Sequence, residues 1–517
     1  MEFAKRGIIP RLFIVVLFIA LSLVSLVFSA YLMLTARGGY VFALAIAFTT
    51  LALVSCLFNG VTAYAYYRSY YYDRHLEKLK KGLKPMRSLP TVAVIMPTYN
   101  EDLGMIERNM LSLKKLDYEK GKIRYYMHDD SKDPEVRSRK MAFCEANGVE
   151  YLTRSENTNF KAGALNNTLE HSQGEFIAIF DADEELTDTH FLKDLLPYFQ
   201  DESIAFVQTE KRFSKGTLFS ESVDLFDALF FRFIQPARAL NGTAIFAGSC
   251  GIIRRAALDA IGGFPQFVTE DTFFSFESDI HGYRSVYVPQ AYALGKPLTF
   301  SELMSQQWRY NYGDTQFLVY FLKRWRSEKK HSFSPISKLD YLAHGFGLNY
   351  LSSILILFTV VALLTVFSAA PFAYSTVTQA ATAGYTVLGL ELLGISAFLL
   401  SLIVPIALTK VYFNSYSKGL MLFVLNFALA FVRLKGAIAA LLSMSGVKGW
   451  FKGSVLDNKP IRALYALKNA TLELTFSVVL LIAGSLAALS YNLSGAMWLL
   501  WYGILYTSTF FFFYRYG

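Results

Sequence analysis

A stretch of 50 residues, Tyr341 to Leu390, contains no Asp, Glu, Lys or Arg. About 20 apolar residues carry a helix across a bilayer, so this run has room for two crossings. Its Ala370–Gly384 portion, with Pro371 and many Ser, Thr and Ala, reads as an external turn, and the second helix continues to about Thr409, with Glu391 near its outer end. Leu12–Leu34 (23 residues) and Tyr40–Tyr67 (28 residues) are equally free of charge, and Leu474–Tyr514 predicts a closing hairpin around Ser490–Gly495. Composition agrees: 53% of residues are hydrophobic and 18% charged, against roughly 45–50% and 25% in soluble domains. The net charge of +9 does not point to nucleic acid, because Lys and Arg gather at the ends of apolar runs. Cys56, Cys144 and Cys250 are scattered, and the seven His lack metal spacing, so neither a disulfide framework nor a zinc site is indicated.

The first run is followed almost at once by the second and closes on no A-x-A site, so it reads as a span rather than a signal peptide. Arg68, Arg74, Lys78, Lys80, Lys81, Lys84 and Arg87 come after the second span, while the loop between the two offers only Arg37. That asymmetry places the following domain in the cytoplasm. Gly419–Val447 is apolar but carries Arg433 and Lys435 in its middle. Each cation at a bilayer centre costs roughly 2.5–3.5 kcal/mol, so this segment is expected to lie in the interface or to dip in and return. The expected architecture is a multi-pass α-helical protein of the cell membrane with about six crossings. Pairs of spans fall at 12–67, 341–409 and 474–514, with both termini cytoplasmic.

Residues 89–325 carry almost all the acidic side chains and form the aqueous domain. Thr91–Met96, Ile123–His128, Glu150–Thr153 and Phe176–Phe180 predict strands, with Pro97 ending the first; Leu103–Lys115, Pro134–Asn147 and Lys161–Ser172 predict helices. Such alternation predicts a mostly parallel, doubly wound α/β sheet. Within 217–240, Val223, Phe226, Phe230 and Phe233 recur at 3–4 spacing opposite Glu221, Asp224 and Asp227, which predicts a helix docked on the bilayer surface. A second interfacial helix is expected within 300–325.

Open α/β sheets bind ligands at the carboxyl ends of their strands. There the sequence puts Pro97-Thr98-Tyr99-Asn100-Glu101, Asp129-Asp130-Ser131 and Asp181-Ala182-Asp183. One DxD alone reads as a turn. Three acidic loops on one edge repel unless a cation neutralises them, and Mg²⁺ or Mn²⁺ bridging substrate phosphates suits hard oxygen ligands. No GxxxxGK[ST] or GxGxxG loop is present, so a metal-held nucleotide diphosphate fits better than an ATPase. Asp183 is the expected metal ligand, with Asp181 beside it contacting metal or ribose.

PTYNE, DDS, Lys161-Ala162-Gly163-Ala164-Leu165-Asn166, DAD, Gly248-Ser249, Thr269-Glu270-Asp271 and Gln306-x-x-Arg309-Tyr310 occur in that order. Over about Thr91–Gly313 this set resembles the membrane-embedded inverting transferases of glycosyltransferase family 2, such as cellulose, hyaluronan and mannan synthases. The resemblance implies a GT-A-like domain that takes a sugar from a nucleotide donor, a UDP-sugar above all. It implies that Thr98, Tyr99, Glu101, Asp130, Lys161, Asp181, Gln306 and Arg309 bind the nucleotide sugar. Ser249, Cys250, Glu270, Trp308 and Tyr310 would meet the acceptor, and Asp271 would be the general base. Glu270 and Asp271 also read as acids capping a helix, and Trp308 and Tyr310 as interfacial anchors. Tyr310 stands where the family has Trp, and Trp450-Phe451-Lys452-Gly453 is the candidate for the family's gating loop. The implied reaction is hexose transfer to the growing end of a β-linked polysaccharide, with extrusion through the spans. Single transfer to a membrane lipid is the alternative, and a transporter or receptor with a nucleotide-sensing domain is the reading from another class.

Overall fold

The computed structural model describes residues 8–35, 39–84, 86, 88–327, 335–345, 413–444, 462–489 and 493–517, with scattered positions between 356 and 411. Helices α1 (Ile8–Thr35) and α2 (Gly39–Ser69) pack side by side, and α3 (Tyr72–Gly82) leads from them into the α/β domain. The predicted alternation follows: β1 (Val92–Thr98), α4 (Leu103–Leu113), β2 (Ile123–Asp129), α5 (Pro134–Asn147), β3 (Glu150–Thr153), α6 (Phe160–His171) and β4 (Phe176–Ile179). Local chemistry sets these boundaries. Asp102 caps α4 by accepting from the Met105 N–H at 2.9 Å, and Asp133 caps α5 with Pro134 in its first turn and Gly148, left-handed, at its end.

β1 shows why an unbroken apolar run becomes a central strand. Val92, Val94 and Met96 pack into one core and Ala93 and Ile95 into another, so both faces are buried. Pro97 does not end the strand, contrary to expectation. β4 pairs with β1 only as far as Ile95, so the N–H that Pro97 lacks has no partner there, while pairing with β2 continues to Thr98.

The chain continues through β5 (Glu184–Leu186), α7 (Phe191–Leu195), β6 (Ile204–Thr209), β7 (Arg212–Phe213), α8 (Leu218–Leu229) and α9 (Gln235–Ala239). Then come β8 (Gly251–Arg254), α10 (Arg255–Ile261), α11 (Glu270–Ile280), β9 (Arg284–Val288), β10 (Ala293–Gly295) and α12 (Phe300–Ser327). The main sheet has the order β3-β2-β1-β4-β8-β6-β9, and β5, β10 and β7 form a small second sheet. The expected mostly parallel sheet is a mixed one, because β8 runs antiparallel to both β4 and β6. The reason is its approach: the Gly248–Cys250 segment lies at the carboxyl edge of β4, so the chain enters β8 travelling away from that edge.

Beyond the domain are α13 (335–345), α14 (Tyr416–Ala428), α15 (Ala430–Met444), α16 (Arg462–Asn469), α17 (Thr471–Leu489) and α18 (Leu493–Tyr516). Among the described residues, Thr471–Leu489 and Gly495–Tyr516 are each long and apolar enough to cross a membrane. α14 and α15 meet that test only together, bent by 44° at their junction. The spans expected within 341–409 lie almost wholly outside the described residues, as does Trp450–Gly453.

The 217–240 segment is one expected helix resolved into three pieces: α8, a wide π turn at Phe230–Ile234, and α9. Its apolar side meets protein. Phe233 packs on Tyr66 of α2 at 4.3 Å between ring centroids, and Phe219 stacks on Tyr516 of α18 at 4.8 Å. α12 and α15 approach so closely that a Cβ on Gly436 would stand 2.6 Å from the Trp308 carbonyl oxygen.

Candidate active site

The carboxyl ends of β1, β2 and β4, the Gly248 turn, the start of α11 and the middle of α12 surround one cavity of about 1850 Å³. At its centre Asp181, just past β4, is gripped by two cations. Lys161 from the first turn of α6 bonds its Oδ1, and Lys211 lies 3.2 Å from its Oδ2. Burial works to raise the Asp181 carboxyl, but Lys161 and Lys211 overcome it and hold the group below the usual carboxylate range. Lys161 also donates to the Gly248 carbonyl at 3.0 Å. Gly248 has φ +81°, and a Cβ there would stand 3.2 Å from Asp271 Oδ2 and 3.5 Å from Lys161 Nζ. A glycine is thus what lets the candidate base and the lysine face each other across the backbone.

Lys211 carries no signal in the sequence, being a lone lysine between two short strands, yet it ties three groups. Besides Asp181 it reaches Glu184 at 3.1 Å and Ser249 Oγ at 2.5 Å, and Ser249 donates to Glu184 at 2.7 Å. Asp183 differs from its neighbour. Its carboxylate lines the cavity without a hydrogen bond or ion pair among the described residues, and burial, then Asp181 and Glu184, push it up to about 6.

Asp271 sits in the first turn of α11, where its Oδ1 accepts from the Thr272 N–H at 2.7 Å. Burial raises its carboxyl above the ordinary value. The helix begins at Glu270 behind Thr269, so Asp271 lies within its first turn rather than at its cap, and it lines the cavity. Of the nucleotide-binding candidates, Thr98, Tyr99, Glu101, Asp130, Lys161, Asp181, Gln306 and Arg309 all line the cavity. Glu101 folds back to accept from the Tyr99 N–H at 2.6 Å, and Arg154 clamps Asp130 with bonds of 2.8 and 2.6 Å. Arg154, too, had no motif to announce it.

Four acceptor candidates stand back from the cavity. Ser249 is fully buried and spent on Glu184 and Lys211, and Cys250 is buried behind it. Glu270 is buried beneath Asp271 and pushed up to about 8 by burial and that neighbour, and none of the three lines the cavity. Trp308 lies in the core between α12 and α15, stacked on Tyr312 at 5.0 Å. A helix turns about 100° per residue, so Trp308 and Tyr310 point nearly opposite ways, and only Tyr310 meets the cavity.

Among the described residues no three His, Cys, Asp or Glu side chains converge as a metal cage. The donor set is two carboxylates, of which Asp183 makes no ion pair among the described residues. Mg²⁺ and Mn²⁺ are commonly held by one or two carboxylates with substrate phosphates completing the shell, so these residues fit an ion that arrives with its substrate.

Residues 93–262 match the glycosyl transferase family 2 model. The cellulose synthase catalytic subunit [UDP-forming] of Pseudomonas fluorescens is 34% identical over 236 residues, covering 44% of this chain and 31% of the relative. Its counterpart from Xanthomonas axonopodis pv. citri is 34% identical over 218 residues, covering 40% and 29%. The chain thus spans less than a third of the length of these curated relatives. Among solved structures, a mannosyltransferase from Pyrobaculum calidifontis, in complex with GDP-Man and Mn²⁺, aligns at 21% identity over 75% of this chain and 98% of that one, with a TM-score of 0.47. Residues 93–262, with their motifs on the strand ends of the α/β domain, are similar to glycosyl transferase family 2, and the chain resembles the processive, membrane-embedded members of that family.

Proposed function

We propose that the chain transfers a hexose, with inversion, from a UDP-sugar to the growing end of a β-linked polysaccharide, and passes the product along its own membrane helices. The observation that carries this reading is the continuity of the cavity. It runs from Asp181 and Asp183 past Asp271 and Tyr310 to Lys435 of α15, Lys468 of α16, Glu473 of α17 and Arg515 of α18. A single-transfer enzyme needs no such extension into the apolar helices.

In this reading Lys161 and Arg309 hold the donor diphosphate, with Tyr99 and Asp130 at the nucleoside. The acceptor sugar stacks on Tyr310. Asp271 takes the acceptor hydroxyl proton as that oxygen attacks the anomeric carbon, and the bond to the diphosphate breaks on the opposite face. Asp183, with Asp181 beside it, would hold Mg²⁺ or Mn²⁺, which when bound neutralises charge on the leaving diphosphate. The six-crossing topology, with this domain cytoplasmic, belongs to the same proposal.

Purified protein in lipid vesicles, given radiolabelled UDP-glucose, UDP-N-acetylglucosamine or GDP-mannose in turn, tests it. One donor is expected to yield a polymer whose length does not change with enzyme concentration. Only mono- or disaccharide on lipid, with every donor, would overturn it.

A further inference from the structure

Part of the cavity wall comes from helices rather than strand ends, and there α8 contributes Phe226, Asp227 and Phe230. Asp227 is unlike the acids at the donor end. Asp130 has Arg154, and Asp181 and Glu184 share Lys211, whereas the Asp227 carboxylate makes no hydrogen bond or ion pair among the described residues. It is also remote in sequence from every motif of the family's ordered set.

The fold ties the stretch of α8 that carries this carboxylate to the stretch of α12 that carries Tyr310 by a specific device. Arg433 of α15, fully buried, donates to Gln307 Oε1 of α12 at 2.8 Å and to Asn426 Oδ1 at 3.1 Å. Its guanidinium lies 5.1 Å from the centre of the Phe226 ring. One side chain therefore fixes residue 226 of α8 against residue 307 of α12. The next residue on α8 is Asp227, and the residue a turn beyond Gln307 is Tyr310; both line the cavity. Among the charged groups around Tyr310, Asp227 acts on it most strongly, ahead of Lys211, Arg309 and Asp271.

A pyranose offers an apolar C–H face and a rim of hydroxyl donors. An aromatic ring suits the face, and a carboxylate engaged in no hydrogen bond or ion pair among the described residues suits the rim, since each of its oxygens accepts a hydroxyl. We propose that Asp227 is a specificity-determining residue that accepts hydrogen bonds from hydroxyls of the acceptor's terminal sugar while that sugar stacks on Tyr310. The inference rests on the transferase reading above and adds the class of acceptor. The terminal sugar is a neutral hexose, because a uronate would bring a second carboxylate against Asp227 and be repelled.

The test uses the full chain in vesicles with UDP-glucose, cellotetraose, and cellotetraose whose non-reducing end is oxidised to a uronate. Asp227→Ala is expected to raise the KM for cellotetraose roughly tenfold to a hundredfold, as loss of a charged hydrogen bond does, with the KM for UDP-glucose within about twofold. The isosteric Asp227→Asn guards against a folding defect and is expected to narrow the preference for the neutral over the uronate-capped acceptor. An unchanged acceptor KM in both variants, or an equal loss of donor affinity, overturns the proposal. A wild-type protein that makes product from none of UDP-glucose, UDP-N-acetylglucosamine and GDP-mannose refutes instead the transferase reading on which it stands.

Discussion

Gly248→Ala separates the geometry of the active site from general fragility. The residue has φ +81°, and an L side chain in that region costs about 1–2 kcal/mol. That strain alone should lower the thermal midpoint by a few degrees for a domain of this size. The added Cβ does something more specific, because at 3.2 Å from Asp271 Oδ2 and 3.5 Å from Lys161 Nζ it presses on both the proposed base and the lysine. Asp271 must then give by a few tenths of an ångström, or Lys161 must loosen its bond to the Gly248 carbonyl. Misplacing a catalytic group by an ångström can cost on the order of 10²-fold, so a turnover loss of about 10- to 100-fold is expected. Gly262→Ala is the matching control. It has φ +87° and nothing within 4 Å of where its new methyl group would stand, so it carries the same backbone strain into open space. Initial rates under saturating donor, with thermal midpoints by intrinsic fluorescence, should show both variants similarly destabilised and only Gly248→Ala slow. Equal turnover in the two, whether lost or kept, refutes the argument that the glycine keeps base and lysine apart.

Asp271→Asn keeps shape but cannot take a proton, so turnover should fall by roughly 10²–10⁴ while UDP-sugar binding stays near normal. Because burial raises the Asp271 carboxyl, the acidic limb of the wild-type rate profile should lie above the ordinary Asp value of about 4, activity rising as the group ionises, and that limb should vanish in the variant. Lys211→Met leaves Asp181 with Lys161 alone and Glu184 without a cation; with 24% of the lysine side chain exposed, a loss of about 2 kcal/mol is expected rather than the 3–5 typical of fully buried pairs. Since Lys211 helps hold Asp181 below its usual range, the deficit should be full near neutral pH and shrink as acid protonates the carboxylates; a pH-independent gap in urea unfolding would count against it. Asp183→Ala, or excess EDTA on the wild type, should abolish transfer without changing the thermal midpoint, and full activity in either would reduce Asp183 to a turn residue.

How legible each feature was depended on how much of its cause is local. β1 and β4 could be read because strands buried on both faces must be apolar throughout, and TVAVIM and FIAIF leave no other fold for so short a run. The direction of β8 could not, since GIIR is apolar whichever way it runs and only the approach from the Gly248 turn decides it. Site residues divide the same way. Asp181 and Asp183 were visible because a strand end puts them on the ligand edge, and Asp271 through the likeness of Thr269-Glu270-Asp271 to the family motif. Lys211 and Arg154 were not, because their partners lie 30 and 24 residues away and no spacing encodes the contact. Trp308 depends on helix register: the motif brings 308, 309 and 310 together in sequence, while the helix sends the first of them into the core.

Arg433 and Lys435 show how a sequence argument can be right in its physics before its geometry is known. Two cations in an apolar segment cannot sit against lipid tails, and that cost is why 419–447 does not read as an ordinary span. The structure removes the cost in two different ways. Arg433 is turned entirely into protein, where Gln307, Asn426 and the Phe226 ring receive its guanidinium. Lys435, two residues on, is exposed and lines the cavity instead. The break between α14 and α15 makes this possible, because a 44° bend brings the start of α15 alongside α12 and so brings the cation to its amide partner. The same contact that makes the charge tolerable joins the bent pair to the helix carrying Arg309 and Tyr310. Beside it, Gly436 packs on the Trp308 backbone and Tyr312 hydrogen-bonds Ser443 at 2.8 Å, so α12 and α15 are held together by packing as well as by this one charge.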